Sequence, residues 1–230
     1  MPVTLAIAGL LFATGSNSAR TDVDGGRQEE LSGLVSQENR KVDAYDQQVE
    51  RMQREVDRAS RARARNDKVA ARAQERSDEL GRTVGLGPAT GTGVRVTLDD
   101  APRTEIGEGN IPPDYLVVHQ QDVQAVVNAM WAGGATAVQV MDQRLISTSA
   151  VRCVGNTLLL NGRVYSPPFA VTAVGPTDRI AGSLEREPGI RVYKQYVKTY
   201  GLGYEVERLT EVTVPGYRGT LDLQFAESGR

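Results

Sequence analysis

The chain carries one histidine, His119, and one cysteine, Cys153. A structural or catalytic zinc site needs several His, Cys, Asp or Glu ligands converging on one point. One imidazole and one thiol do not supply that set, so no metal and no cofactor are expected. His119 could be combined with Ser147 or Ser149 in a hydrolytic arrangement, but the glycine-flanked strand-to-helix elbow that exposes such a serine is absent. Cys153 alternates with apolar neighbours, which reads as a small buried hydrophobe. Arg152, beside it in sequence, points to the opposite face of a strand and so leaves the thiol without an activating charge. No acid, base and nucleophile converge, and a non-enzymatic protein is expected.

Polar chemistry is better represented. Asn128, Gln143, Arg144, Arg152 and Asn156 all fall near element ends in the central segment. Arginine presents a planar fork of donors suited to carboxylate or phosphate. Two uses are open. The five could line a groove for an anionic or peptide-like ligand, or they could brace loops by bonding backbone carbonyls, the commoner use of such side chains. The glycines of GLGPATGTG (Gly85, Gly87, Gly91, Gly93) are a different matter. A phosphate-cradling loop follows a strand and opens a helix. Here a helix precedes and the strand-like Val94–Leu98 follows, so the stretch reads as a linker, stiffened by Pro88.

Composition narrows the partners. A net charge of −2 and 5% aromatic residues argue against nucleic acid, which calls for a basic face and stacking rings. A lone cysteine forms no internal disulfide.

The elements that would position these residues fall into an anchor, a rod and a head. Residues 1–19 contain the apolar run Val3–Thr14, shorter than the about 20 apolar residues of a full span; it reads as a membrane anchor or the remnant of one, with a signal-peptide core followed by the small residues GSNSA, or a buried helix, as the alternatives. Residues 20–84 form a rod, with a break at Gly25–Gly26 and one helix from near Arg27 to about Arg82. Its heptad seam places Val35, Val42, Val49 and Val56 at a, and Glu38, Tyr45, Met52 and Ala59 at d. β-Branched residues at a favour a parallel two-stranded coil. The seam weakens after Ala59, where Arg63 and Asn66 occupy it. Residues 85–93 are the linker. Residues 94–230 form an α+β head. Strands are expected at Val94–Leu98, Tyr115–Val118, Ala137–Met141, Val151–Leu160, Phe169–Val174, Glu205–Val214 and Thr220–Phe225. Helices are expected at Asp122–Ala132, from Thr177 to Leu184 and at Ile190–Tyr200. That order suggests a ferredoxin-like sandwich with helices on one face of a sheet.

From His119 to Gly175 the sequence resembles the YlxW-like bacterial family, a domain of unknown function. The pieces that carry the resemblance are Asp122-Val123-Gln124, Val127-Asn128-Ala129-Met130-Trp131, Gly134-Ala135, Gln143-Arg144-Leu145, Val151-Arg152-Cys153 with Gly155-Asn156, and Ser166-Pro167-Pro168. The resemblance implies a single-pass membrane protein with a coiled coil and an extracytoplasmic α+β head, linked to envelope growth or division. It carries no catalytic residues. The expectation is a plasma-membrane protein that forms a homodimer or a coiled-coil hetero-oligomer and presents its head to division or cell-wall partners. The rival is a sensor that recognises a cell-wall fragment through the polar groove.

Overall fold

A computed structural model describes residues 2–102, 111–154 and 156–219, with side chains from residue 33 onward. The chain divides into two compact units, Met1–Tyr45 and Asp46–Arg230. The first unit is helical throughout, as part of α1 (Pro2–Asn66). The helix passes through Gly25–Gly26 without the expected break. A glycine in a helix interior costs only about 1 kcal/mol relative to alanine, so helix-forming neighbours carry the chain across. The side chains of the apolar run lie outside the described residues. Among the described residues, no helix is long and apolar enough to cross a membrane.

In the second unit the rod is not one helix. Asp67 leaves the helical conformation (φ −138°, ψ 114°) and caps α2 (Lys68–Thr83), its carboxylate accepting from the Val69 and Ala70 amides at 2.8 and 3.3 Å. The chain then reverses. The Tyr217 amide donates to the Gly85 carbonyl at 2.9 Å, just past the end of α2, while neighbouring Arg218 pairs with Glu50 on α1. Residues 50 and 85 thus approach one segment from the two sides of Asp67. The expected uninterrupted coil to Arg82 is corrected on this point. An acidic residue that satisfies the first amides of the next helix starts a new helix more readily than it extends the old one.

The head is built on β1 (Ala89–Asp99), which begins inside the expected linker 85–93. Only residues 84–88 are a turn and connection, because Ala89, Thr90, Gly91 and Gly93 already pair with the last strand. Next come a 3-10 turn at Pro113–Tyr115 and α3 (Gln120–Ala132). The turn replaces the strand expected at Tyr115–Val118: Pro112 and Pro113 fix the backbone and donate no ladder bonds. β2 (Ala137–Val140) and β3 (Gln143–Arg144) form a hairpin. The strand expected at Val151–Leu160, broken by Gly155, is a hairpin of β4 (Arg152–Val154) and β5 (Thr157–Leu160), joined by β6 (Arg163–Tyr165) into a small sheet. β7 (Phe169–Val174), α4 (Thr177–Arg186), α5 (Pro188–Tyr200) and β8 (Gly203–Val214) complete the described head. Pro188 opens α5 instead of merely ending α4, as a first-turn proline can. The strand expected at Thr220–Phe225 lies outside the described residues.

The main sheet runs β3-β2-β7-β1-β8, with every pairing antiparallel. Alternation puts Val94, Val96 and Leu98 of β1 and Phe169, Val171 and Ala173 of β7 on one face, all buried. The helices lay Val123, Val126 and Met130, then Ile180, Leu184 and Ile190, into the same core. One core thus fixes the ends of α3 and α5, where the clefts of the head open.

Candidate functional site

The five polar residues expected to share a groove are dispersed. Arg144 sits in β3 with 5% of its surface exposed. Its Nη1 donates to the carbonyls of Pro215 at 3.1 Å and Gly87 at 3.4 Å. Burial pushes the guanidinium below its ordinary pKa. Packed against it is Gly85, whose φ of +87° belongs to glycine. A Cβ on Gly216 would lie 2.0 Å from the Leu86 carbonyl oxygen, so that chain passes as closely as backbone can. Arg144 therefore braces the junction between α2 and the head, and the ligand-facing role is corrected for this residue. Among the described residues, the oxygens it bonds belong to the backbone.

Gln143 accepts from the Asn161 amide at 3.0 Å across the β5–β6 turn. Asn156 bonds the Asp100 carboxylate. Arg152 is exposed on β4, opposite Leu159. Asn128 lines a cleft of about 440 Å³ between α3 and residues 145–151. With it stand Gln120, Gln124, Trp131, Ser147 and Ser149. Trp131 is 41% exposed. Gln120 accepts from the Cys153 amide at 3.0 Å, and Ser149 from the Ile146 amide at 3.0 Å, so two of the polar groups are fixed in place. The lining carries neither Lys nor Arg. It can bond amides or hydroxyls and stack an apolar face on the indole, and it lacks the cations an anion would require.

A second cleft, of about 240 Å³, was not legible as a site. It lies between the 3-10 turn, the start of α3 and α5, and is lined by Asp114, Tyr115, His119, Asp122, Tyr193 and Tyr196 among others. Tyr115 meets Tyr196 edge to face at 5.6 Å and Tyr200 at 5.4 Å. Asp122 reaches back to accept from the His119 amide at 2.8 Å, half of a capping box. Burial pushes its carboxyl, and that of Asp100, above the usual range despite these bonds. The signal was present in the sequence: Tyr193, Tyr196 and Tyr200 recur at helical spacing.

His119 lines this cleft and Ser147 and Ser149 line the other, so the structure does not join them. Burial pushes the Cys153 thiol upward, away from thiolate chemistry. Among the described residues no group of three or more His, Cys, Asp and Glu is placed to hold a metal ion.

Residues 76–227 match the family described as "Bacterial protein of unknown function (DUF881)". The chain belongs to this family. Within DUF881 it is 38% identical over 100 residues to the UPF0749 protein YlxW of Bacillus subtilis, covering 44% of this chain and 42% of that one. It is 26% identical over 176 residues to the UPF0749 protein Rv1823 of Mycobacterium tuberculosis, covering 75% and 57%. The chain thus spans about half the length of the curated relatives it matches. Among solved structures it is similar to an uncharacterized conserved protein from Mycobacterium tuberculosis. That likeness has a TM-score of 0.51 and 26% identity, over 67% of this chain and 99% of the other. The family expected from residues 119–175 is the one the chain belongs to, and its members supply no activity to transfer.

Proposed function

We propose that this DUF881 chain is a non-enzymatic envelope protein. It is held at the plasma membrane through its N-terminal segment, self-associates through α1, and offers its head to division or cell-wall partners. One observation carries the reading. Several apolar residues of the α1 seam stay exposed while the head has closed its own core. Val35, Tyr45, Met52 and Val56 are 39%, 67%, 49% and 64% exposed, and Val42 and Val49 are half-buried. None of the residues of α2 is buried either. Most helical stability in proteins comes from packing an amphipathic face, so exposed apolar seam residues call for a second surface. The heptad spacing from Val35 to Ala59 selects another helix of the same kind. The reversal at Asp67 confines the coil to the part of α1 before it.

The same reading takes the head as ferredoxin-like. The succession β1, α3, β2, β7, α4–α5, β8 and the order β2-β7-β1-β8 support it, with β3 to β6 inserted between the second and third strands of the motif. The test of the envelope role is a fluorescent fusion of the chain in dividing cells, beside one lacking residues 27–82. Septal membrane signal that needs the arm is the expected result. Diffuse signal from both fusions contradicts the proposal.

A second reading, a ligand-binding sensor, draws on the uncharged cleft at Asn128. It favours a neutral peptide-like ligand over an anion. Trp131, the sole tryptophan, lines that cleft and reports on it. A saturable change of its emission with a neutral tripeptide, lost in Asn128→Ala, supports this reading. An emission that does not move at millimolar peptide removes it.

A further inference from the structure

We propose that the tyrosine cleft between the 3-10 turn, α3 and α5 binds an organic ammonium group. This goes beyond the role of the helical arm and stands on different residues. The cleft is lined by Tyr115, Tyr193 and Tyr196, by Asp114 and Asp122 and by His119, with no Lys or Arg among the described residues of its walls. Tyrosine faces are electron-rich and attract a cation within about 6 Å of the ring centroid, most strongly where water is thinned out. A carboxylate beside such a face supplies the counter-charge. Here Asp122 keeps 14% of its side-chain surface and is held in place by the His119 amide. Tyr193 is fixed as well, its hydroxyl donating to the Gly203 carbonyl at 3.0 Å. The walls are thus set before a ligand arrives.

The neighbouring surface already performs this recognition once. Lys194 Nζ lies 5.0 Å from the centroid of Tyr204, and Tyr204 packs on Tyr193 at 6.1 Å. Lys194 is tied to Glu185 at 2.6 Å and is not among the cleft's walls. The cleft repeats this pairing of tyrosine and carboxylate with no Lys or Arg among its described walls; its one basic group there is His119, whose Nδ1 lies 3.8 Å from the Asp122 carboxylate. Its volume of about 240 Å³ suits a trimethylammonium or the end of a lysine side chain, and is small beside the sites of about 300–1,000 Å³ that take drug-sized ligands.

The experiment titrates the full chain with tetramethylammonium, with Nα-acetyl-lysine amide and with the uncharged tert-butanol, following the tyrosine ring resonances by NMR. Saturable shifts of Tyr115, Tyr193 and Tyr196 with either cation, and none with tert-butanol, are expected. Preference for the lysine amide assigns a peptide side chain as the source, and preference for tetramethylammonium a small quaternary amine. Asp122→Asn preserves the bond to the His119 amide and removes the charge. Tyr196→Leu keeps an apolar wall and removes the ring. Each is expected to weaken the cation about fivefold. The proposal is overturned if neither cation shifts these rings, if tert-butanol shifts them equally, or if both folded variants bind as the parent does.

Discussion

Arg144 brings a full positive charge to a place where only carbonyl oxygens receive it. Hydrogen bonds to a charged group are worth about 1.5–3 kcal/mol, and carbonyls left without their donor add a desolvation cost. Arg144→Ala is therefore expected to destabilise the head by about 3 kcal/mol in chemical denaturation, whereas exposed Arg152→Ala stays within about 0.5 kcal/mol. Equal losses would contradict the assignment of Arg144 to the junction. These two arginines looked alike in sequence. What separates them is burial against Gly87 and Pro215, distant in the chain, which no local pattern encodes. Asp122 makes a second residue-scale prediction. Its folded pKa is raised, so between the ordinary carboxylate value and the raised one the folded state binds more protons than the unfolded chain. Stability attributable to Asp122 falls as pH rises through that window. Asp122→Asn should match the parent in acid, where both side chains are neutral, and exceed it above the window. Parallel denaturation midpoints of the two proteins across pH would show the difference opening. A constant gap would contradict it.

The elements were mostly legible where one period ran long. The valines of β1, the apolar face of α3 and the turn at Asn161–Gly162 all announced themselves through alternation, helical spacing or turn chemistry. The failures share a cause. Asp67 looked like one more solvated rod residue, because an N-cap and a surface aspartate differ only in the backbone beneath them. Likewise the break at Gly155 between β4 and β5 was legible, but their pairing with each other was not, since pairing between adjacent short strands leaves no mark on apolar content. The reversal at Asp67 can be measured directly. Spin labels at residues 52 and 82 would lie about 45 Å apart on one continuous helix. The reversed chain places them less than about 30 Å apart, because both flank the segment at Tyr217 and Arg218. A distance near the longer value would restore the uninterrupted rod.

For the whole molecule, the sequence announced a helical arm before an α+β head, and the family to which it belongs. It also suggested that the polar residues of the central segment converge. Instead Asn128 lines one cleft and the others brace loops or face outward, while the tyrosine cleft went unread because its walls come from a turn and two helices far apart in sequence. The claim on which the functional account turns is that α1 pairs in parallel with a second copy through its heptad seam. Disulfide trapping tests it. In a Cys153→Ala background, a cysteine at Val49 lies in the seam and one at Arg54 on the outer face, where Arg54 bonds Glu50 at 3.1 Å. The account predicts rapid covalent dimer through position 49 and little through position 54. No dimer at position 49, or equal trapping at both, would contradict the parallel coil.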